Sequence, residues 1–299
     1  MKILITGSSG MLGSDLCDAL GREHEIAGLD INEASRGMGH GSCEHFYKAD
    51  ILNCKVISEI IEREKPDLVI HAAAWTDVDG CEQDPEKAGR INTFGTENVA
   101  KASASTGVPL MFISTDYVFD GDKKKPYIEN DKTNPLNVYG KTKQKAEEII
   151  SKIMSRYVVV RTSWLFGRNG KNFVDTIISK AEKEGALKVV DDQVGTPTYT
   201  KDLATALKAL IGSIEPAGKE TVHITNSGRC SWYEFAVRIL QERGLKDVKV
   251  IPIKSSECSR PARRPSFSVL DNKKFLKMTG HRIRDWSEAV KEYINYEKI

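Results

Sequence analysis

Residues 2–13 read KILITGSSGMLG and decide the fold of this 299-residue chain. The first five form an apolar run typical of a strand, and the glycine loop Gly7–Gly13 follows directly. An amphipathic helix is predicted over Met11–Leu20. In a G-x-x-G-x-x-G loop between a strand and a helix, backbone amides and the helix dipole can meet a pyrophosphate. The N-terminus therefore predicts a dinucleotide-binding unit.

The glycines of this loop have separate expected roles. Gly7 and Gly10 would let the backbone turn tightly and approach a pyrophosphate, and Gly13 would let the helix pack closely on the strand. Met11 and Leu12 complete the predicted cofactor contacts. An isolated glycine pattern would be read as an ordinary tight turn. The order of strand, loop and helix favours the cofactor interpretation.

Apolar runs typical of buried strands alternate with helix-length segments through the first half of the chain. This alternation predicts an α/β fold with a doubly wound parallel sheet, a Rossmann fold. The predicted strands are Lys2–Thr6, Glu25–Leu29, Leu68–His71, Leu110–Ser114 and Tyr157–Arg161, and the further predicted helices are Lys55–Glu64, Pro85–Thr106 and Val138–Ile150.

The alternation becomes less regular after Thr162, where turn residues such as Gly167–Gly170 interrupt the pattern. We expect a dinucleotide-binding Rossmann domain over residues 1–162, to which some later segments return. A smaller C-terminal lobe, mainly residues 163–299, is expected to bind the substrate.

The overall charge gives no reason to expect a nucleic acid partner, since 44 basic residues nearly balance 42 acidic ones. Any site for an anion would have to be local. The N-terminal apolar run is too short for a signal peptide or a membrane span, so we expect a cytoplasmic protein without a membrane partner. The six cysteines have no C-x-x-C spacing, and His71 has no matched ligands nearby in sequence, so no metal is expected. The oligomeric state is left open, with a homodimer as one option.

The residues that follow the second predicted strand bear on cofactor choice. Asp30 lies at the distance from the glycine loop where an acid commonly accepts hydrogen bonds from the adenosine ribose, which favours NADH. Arg36 follows closely, and a guanidinium there could neutralise the 2′-phosphate of NADPH. A solvated loop charge is the alternative for Arg36. The sequence leaves the choice between NADPH and NADH open.

Tyr139 and Lys143 lie one helical turn apart on one predicted helix face. A free tyrosine has a pKa near about 10, and a neighbouring ammonium would favour its ionised form. Tyr139 could then donate a proton to a carbonyl oxygen while a hydride reaches the carbon. A Y-x-x-x-K pattern alone would favour the alternative, a helix with an exposed basic face and one packed tyrosine.

Two further motifs favour the catalytic interpretation. Thr115 ends a buried strand at the carboxyl edge, where open α/β sheets bind ligands, and its hydroxyl could bond the same carbonyl oxygen. Ala72, Ala73 and Ala74 follow another strand and are small enough to let a cofactor ribose pass close to the backbone.

With these motifs in this order, the chain resembles the extended short-chain dehydrogenases over nearly its whole length. Within them it is most similar to the dTDP-4-dehydrorhamnose reductases. The glycine loop and Tyr139–Lys143 are typical of the superfamily, whereas Asp120-Gly121, Ser163-Trp164 and Asp191–Thr198 are typical of the reductases.

The resemblance implies an NAD(P)H-dependent oxidoreductase acting on a dTDP-linked nucleotide sugar. It implies that Thr115, Tyr139 and Lys143 carry catalysis, and that Asp50 and Ile51 lie beside the adenine. The expected reaction reduces the 4-keto group of dTDP-4-dehydro-L-rhamnose to give dTDP-L-rhamnose.

Related 4,6-dehydratases follow the catalytic threonine with Asp-Glu, whereas here Asp116 is followed by Tyr117. Without that glutamate an elimination lacks one proton carrier, so reduction is the simpler reaction. A nucleotide-sugar epimerase or another 4-ketosugar reductase is an alternative because it uses the same three catalytic residues. A regulatory subunit of the methionine adenosyltransferase type is the non-enzymatic alternative, and the intact catalytic set disfavours it.

The predicted substrate contacts, besides Thr115 and Tyr139, are four. Asp116 follows the catalytic threonine, and Trp164 offers an indole wall or packs in the core. Asn172 offers an amide to the substrate or caps a helix. By the resemblance, Arg260 opens a substrate loop whose arginines suit a diphosphate, and which arginine contacts phosphate is left open.

Overall fold

The computed structural model describes residues 1–32, 43–213 and 218–296. Its strands are β1 (Lys2–Thr6), β2 (Glu25–Asp30), β3 (His45–Lys48), β4 (Leu68–His71), β5 (Leu110–Thr115), β6 (Tyr157–Thr162), β7 (Leu165–Phe166), β8 (Ala186–Val190), β9 (Val194–Gly195), β10 (Thr198–Tyr199), β11 (Lys219–His223), β12 (Cys230–Ser231) and β13 (Lys249–Ile253).

The α-helices are α1 (Met11–Leu20), α2 (Cys54–Glu64), α3 (Val78–Gln83), α4 (Pro85–Ala88), α5 (Thr96–Thr106), α6 (Val138–Ile153), α7 (Phe173–Ala181), α8 (Thr200–Ile211), α9 (Trp232–Arg243), α10 (Lys273–Thr279) and α11 (Trp286–Tyr296). A π-helical segment, Gly89–Gly95, joins α4 to α5. Within the described residues, the helices lack the length and apolar composition of a bilayer-spanning segment.

Seven strands form the central sheet in the order β11-β6-β5-β4-β1-β2-β3, and each neighbouring pair is parallel. The strand order reverses between β1 and β4, so the crevice at their carboxyl ends is the position where doubly wound sheets bind ligands. The predicted doubly wound fold is confirmed.

Several predicted boundaries were wrong in detail. The segment predicted as one helix, Pro85–Thr106, is three successive helical pieces because a π-helical turn interrupts it. The helix predicted over Val138–Ile150 continues to Ile153. The prediction omitted β3, a mostly solvent-facing edge strand, because its sequence HFYK lacks a long apolar run.

Each face of the sheet carries its own apolar core. Alternate residues of β1 point to opposite sides, with Ile3 and Ile5 packed against α1 and α8, and Leu4 packed against α2 and α5. A third cluster, centred on Phe166, Phe235 and Tyr293, joins α7, α9 and α11. The chain thus forms a two-sided sheet core and a separate C-terminal core.

Two late elements belong to the sheet core rather than to the C-terminal cluster. Helix α8 packs on α1, and β11 pairs with β6 in parallel register from Lys219 to His223. The chain therefore crosses back to the sheet after building part of the C-terminal core. The division at residues 162 and 163 stays a prediction.

Helix α1 lies so close to the glycine loop that a side chain at Gly13 cannot be accommodated. A Cβ atom there would lie 2.0 Å from the Gly7 carbonyl oxygen and 2.7 Å from Ser8 Cα. Both contacts are with backbone, which cannot move aside as a flexible side chain can. The spacing between β1 and α1 therefore depends on the absent side chain at this position.

We predict that Gly13→Ala destabilises the protein by about 2 kcal/mol or more, since overpacking against backbone forces the loop to shift. Urea unfolding monitored by circular dichroism measures the change. Gly89→Ala is the control, because Gly89 has helical dihedrals and a Cβ atom there would have no neighbour within 4 Å. The control should be neutral or stabilised by up to about 1 kcal/mol. Equal stability of the two variants would contradict the close-packing argument.

Candidate active site

The glycine loop presents backbone donors at the carboxyl end of β1. Gly7 has φ +74° and donates its N–H to Leu29 O at 2.8 Å. Helix α1 begins after Gly10 with no side-chain cap and no acidic residue in its first turn. The amides of Met11 and Leu12 are in that first turn, where a helix favours an anion. These residues fit the pyrophosphate of a dinucleotide.

Asp30 lies beside this loop at the end of β2. Its carboxylate accepts hydrogen bonds from Ser9 N at 3.1 Å and Asn32 N at 3.0 Å, and the side chain stays partly exposed. A ribose hydroxyl could reach the same carboxylate. Arg36, the predicted phosphate partner, lies outside the described residues.

Asp50 and Ile51 follow β3 at the same edge of the sheet. Ala49 N donates to Asp30 O at 2.9 Å, which joins this segment to the end of β2. Ile51 is buried, and its carbonyl accepts from Asn98 Nδ2 at 3.0 Å. The segment thus has a fixed backbone next to the predicted ribose site.

Ala72, Ala73 and Ala74 continue from β4 and face the glycine loop. A Cβ atom at Gly7 would lie 2.7 Å from Ala73 N, so the two backbones touch. Asn92, in the π-helical segment, accepts from Trp75 N at 2.8 Å and donates to Trp75 O at 3.0 Å. This pair of hydrogen bonds fixes the end of the alanine segment.

Asn92 also connects the cofactor side to helix α6. Its amide donates to Thr142 Oγ1 at 3.3 Å, and the neighbouring Thr93 hydroxyl donates to Thr142 O at 3.0 Å. A π-helical turn carries an extra residue, which re-aims side chains and often marks functional sites. Sequence reasoning assigned no role to Asn92, since only the tertiary structure shows what it reaches.

The structure brings the three predicted catalytic residues to the same strand end. Thr115 ends β5, and Tyr139 lies in the first turn of α6 with its ring edge-on to that of Tyr117, at a centroid distance of 6.1 Å. Asn137 caps this helix by accepting from Gly140 N at 2.8 Å. Lys143 lies one turn further on, 2 % exposed, with Nζ 3.9 Å from the centre of the Phe112 ring.

Burial dominates the acid–base properties of this group. It raises the pKa of Tyr139 above its usual range, and the charge of Asp116 adds to the shift. Burial also lowers the pKa of Lys143 to about 7. We expected the Lys143 ammonium to lower the Tyr139 pKa, but the Tyr139 pKa is raised. Burial is the largest cause, because it disfavours the charged forms of both side chains. Tyr139 is therefore protonated at neutral pH, the form that can donate a proton.

Asp116 is a buried carboxyl next to the catalytic group. The residue is 2 % exposed, and its Oδ1 accepts from Thr115 Oγ1 at 3.1 Å. Burial raises its pKa to about 7, although hydrogen bonds from neighbouring hydroxyls act in the opposite direction. The carboxyl can therefore change protonation near neutral pH.

An ion pair fixes helix α6 against the sheet. Glu147, one turn after Lys143, accepts from Arg161 Nη2 at 2.7 Å and Nε at 3.0 Å. Ser114, the residue before Thr115, donates to the same carboxylate at 2.5 Å. The helix that carries Tyr139 is thus tied to both β5 and β6.

The whole chain matches a known protein family. The family model described as RmlD substrate binding domain matches residues 1–299. A reductase structure from Clostridium acetobutylicum, a dTDP-4-dehydrorhamnose reductase, is 42 % identical with a TM-score of 0.90, and all of both chains is covered. The chain belongs to this family.

Two other relatives widen the comparison. The spore coat polysaccharide biosynthesis protein SpsK of Bacillus subtilis is 38 % identical over 98 % of this chain and 96 % of its own. The dTDP-4-dehydrorhamnose reductase of Bacillus anthracis, whose structure is a complex with NADP, is 34 % identical with a TM-score of 0.88 over 99 % of both chains. The predicted reductase family and its class, NAD(P)H-dependent oxidoreductases, are confirmed.

In this family member Trp164 packs tightly. Its ring stacks on that of Trp232, with centroids 3.5 Å apart and planes within 7°. A Cβ atom at Gly195 would lie 2.4 Å from Trp164 Cε2, so the glycine backbone also lies against the indole. The core-packing alternative accounts for these contacts, and a sugar contact through the remaining indole edge stays a prediction.

Asn172 caps a helix, the alternative that the sequence left open. Its side chain accepts from Asp175 N at 3.0 Å, and its amide donates to Gly167 O at 2.8 Å and to Asp175 Oδ2 at 2.7 Å. The residue is 7 % exposed. Its amide hydrogens are used within the chain, and the substrate contact stays a prediction.

The arginines of the predicted substrate loop differ in their surroundings. The Arg260 and Arg263 side chains are exposed, whereas the Arg264 side chain is 9 % exposed and paired with Asp79. The sequence pattern could not distinguish them, because the three lie in one basic run. Arg260 remains a predicted substrate contact, and which arginine contacts phosphate stays open.

One cluster away from this site has the residue types of a metal site. Glu25, His45 and Glu64 place ligand atoms within 4.8 Å of one another. The ammonium of Lys2, however, lies 2.7 Å from both carboxylates and supplies the cation. The cluster is an ion-pair network at the amino-terminal edge of the sheet, and the absence of a metal stays a prediction.

The raised pKa of Asp116 predicts a pH-dependent stability. A carboxyl whose pKa is higher in the folded protein stabilises the fold at pH below about 4, and this contribution is lost as the pH rises through about 7. The free energy of unfolding of the wild type should therefore fall relative to Asp116→Asn, by about 4 kcal/mol at most across that window. Thermal unfolding of both proteins between pH 4 and 8 measures this difference.

The matched control is Asp122→Asn, since Asp122 is exposed. Its stability should follow the wild-type pH dependence. If Asp116→Asn also followed it, the carboxyl would be shown to titrate in its ordinary range.

Proposed function

We propose that this protein reduces the 4-keto group of dTDP-4-dehydro-L-rhamnose with NADPH or NADH and releases dTDP-L-rhamnose. The observation that carries the proposal is the meeting of Thr115, Tyr139 and Lys143 at the strand edge beside the glycine loop. Membership of the reductase family along the whole chain supports the substrate.

The chain's own residues would hold the cofactor in an extended pose. The amides of Met11 and Leu12 in the first turn of α1 would receive the pyrophosphate, and Asp30 would accept hydrogen bonds from the adenosine ribose. Asp50 and Ile51 would border the adenine. Ala72–Ala74 would pass beside the second ribose, which Lys143 would bind. A bound reduced nicotinamide supplies the hydride.

Tyr139 is the proposed proton donor. The hydride adds to C4 of the sugar, the C=O double bond becomes a single bond, and the Tyr139 phenol gives its proton to O4. Thr115 would hydrogen-bond the same oxygen as negative charge develops. Because burial favours the neutral phenol, the acid is in the required form before the substrate arrives.

Lys143 is the group that we propose returns a proton to Tyr139 after the reduction. Its pKa near 7 allows it to exist in both protonation states at neutral pH. One helical turn separates it from Tyr139, which is the spacing that a coupled pair needs. Its buried position on the Phe112 ring keeps water away from the ammonium.

Three further expectations accompany the proposal. We propose the cytoplasm as the location, because reduced nicotinamides and nucleotide-activated sugars are held inside cells. The oligomeric state stays open, and sedimentation analysis can check the homodimer option. We propose no nucleic acid partner, since the net charge is only +2.

Turnover tests the proposal directly. With dTDP-4-dehydrorhamnose, the protein should oxidise NADPH in stoichiometric amounts, seen as loss of absorbance at the nicotinamide band, whereas an epimerase would leave that absorbance unchanged. Tyr139→Phe should lower single-turnover reduction at least about 100-fold, since the proton donor is lost. Its affinity for NADPH, measured by fluorescence, should stay within about twofold because the ring remains.

Lys143→Ala should lose both turnover and cofactor affinity. The control is Lys141→Ala on the same helix, an exposed lysine, which should behave as the wild type. Full reduction by a folded, cofactor-bound Tyr139→Phe variant would refute the catalytic assignment.

Cofactor choice gives a second prediction. Because Asp30 offers a ribose acceptor and Arg36 a phosphate partner, both NADPH and NADH should support turnover, with a preference of no more than severalfold. Arg36→Ala should raise KM for NADPH and leave KM for NADH unchanged. Steady-state kinetics with both cofactors measure the effect. An unchanged KM for NADPH would remove Arg36 from the cofactor site.

A further inference from the structure

A closed set of hydrogen bonds joins the loop of residues 260–266 to helix α3. Arg264 donates from Nη1 to Asp79 Oδ1 at 2.7 Å and from Nη2 to Asp79 Oδ2 at 2.6 Å. Ala262 N donates to Asp79 Oδ1 at 3.2 Å, and Arg264 Nη1 also donates to Ala262 O at 2.7 Å. We call this set the Asp79–Arg264 clasp.

The clasp spans two parts of the chain that the sequence separates widely. Asp79 is in α3, just beyond the alanine segment that follows β4. Arg264 lies in a loop whose next residues pack on Gly121. A Cβ atom at Gly121 would lie 2.6 Å from Pro265 Cβ, and Ser266 Oγ donates to Gly121 O at 2.9 Å. The loop therefore bridges α3 and the segment that follows the catalytic strand β5.

The pairing leaves Arg264 poorly suited to contact phosphate. A bidentate pair uses the terminal nitrogens of the guanidinium in the geometry that a diphosphate would also need. The Arg264 side chain is 9 % exposed, so removing Asp79 would leave a largely buried positive charge without its partner. The neighbouring side chains of Arg260 and Arg263 are exposed.

The clasp also reaches the proposed proton donor through one aromatic ring. The Arg264 guanidinium lies near Tyr117, where its positive charge opposes the rise in the Tyr117 pKa that burial causes. The Tyr117 ring lies edge-on to the ring of Tyr139, with centroids 6.1 Å apart and planes at 79°. A shift of the guanidinium would therefore move the surface against which Tyr139 packs. Edge-to-face aromatic pairs have a defined geometry, so such a shift would change the position of the phenol.

We propose that Arg264 and Asp79 are positioning residues, which hold the 260–266 loop over the site and fix Tyr117 against Tyr139, and that the diphosphate of the sugar nucleotide is left to the exposed arginines of the loop. This inference rests on the proposed function for its substrate. With the clasp in place, the loop that carries Arg260 and Arg263 is fixed relative to α3 and Gly121.

The variants Asp79→Asn, Arg264→Lys and the double variant test the clasp. Each single variant loses the same bidentate pair, so each should lower kcat/KM for the sugar nucleotide at least about tenfold. The kcat/KM of the double variant should be at most about twofold lower than that of the more impaired single variant, because the effects of substituting two residues in contact are not additive. The affinity for dTDP, measured by calorimetry, should fall in both single variants, and the affinity for NADPH should stay within about twofold.

The matched control is Asp202→Asn. Asp202 forms a similar bidentate pair with Arg284, at 2.8 Å for both hydrogen bonds, between α8 and the segment before α11. Its loss should lower the melting temperature without changing KM for the sugar nucleotide. A shifted pH profile of kcat in Asp79→Asn, absent from the control, would report the change at Tyr139.

Several results would overturn the inference. If Arg264→Lys weakened dTDP binding tenfold while Asp79→Asn left it unchanged, Arg264 would be a phosphate ligand. If Asp79→Asn also lost NADPH affinity, or if the control lost kcat/KM equally, the pair would be merely structural. If the wild type reduced no 4-keto sugar, the proposed function would fail. The inferred role of the clasp would still hold if both single variants lost dTDP affinity and the double variant lost no more than either of them.

Discussion

The parallel register of β1, β4 and β5 is the constraint on which the site depends. In this register Thr6 lies opposite His71, and His71 opposite Phe112. The Thr6 hydroxyl and His71 Nδ1 are 2.6 Å apart, and His71 stacks on Phe112 with centroids 5.6 Å apart. The ammonium of Lys143 lies over the same Phe112 ring. One continuous row of contacts thus runs from the strand before the glycine loop to the catalytic helix.

The protonation of His71 follows from its place in this row. Burial lowers its pKa to about 3, with a further contribution from the charge of Lys143, so the ring is neutral. Its Nε2 lies 3.0 Å from Thr96 Oγ1, and that hydroxyl donates to Asn92 O at 2.7 Å. The threonine oxygen therefore accepts from Nε2–H, and Nδ1 accepts from Thr6. A neutral histidine can make both bonds without placing a second positive charge beside Lys143.

The site combines buried ionisable groups that the fold alone does not require. Asp116, Tyr139 and Lys143 each have a pKa shifted towards the neutral form, because burial costs the charged form more than nearby partners return. Such shifts cluster where proton transfer must occur near neutral pH. Outside this group, the charges of Glu147 and Arg161 compensate each other and hold α6. The Glu147–Arg161 ion pair thus holds the helix that carries Tyr139 and Lys143.

Local spacing and apolar periodicity were enough to predict the doubly wound fold, the glycine loop between β1 and α1, and the placement of Tyr139 and Lys143 one turn apart on α6. Each of these depends on residues close together in the chain, and the roles of the loop and of the pair stay predictions. The π-helical turn at Asn92 emerged only in the tertiary structure, because one extra residue hardly changes a helical pattern. The folded chain also separated Arg264 from its neighbours in the basic run. Arg264 differs from Arg260 and Arg263 because it pairs with Asp79, which lies 185 residues away in the sequence. A local sequence pattern cannot predict such a distant partner.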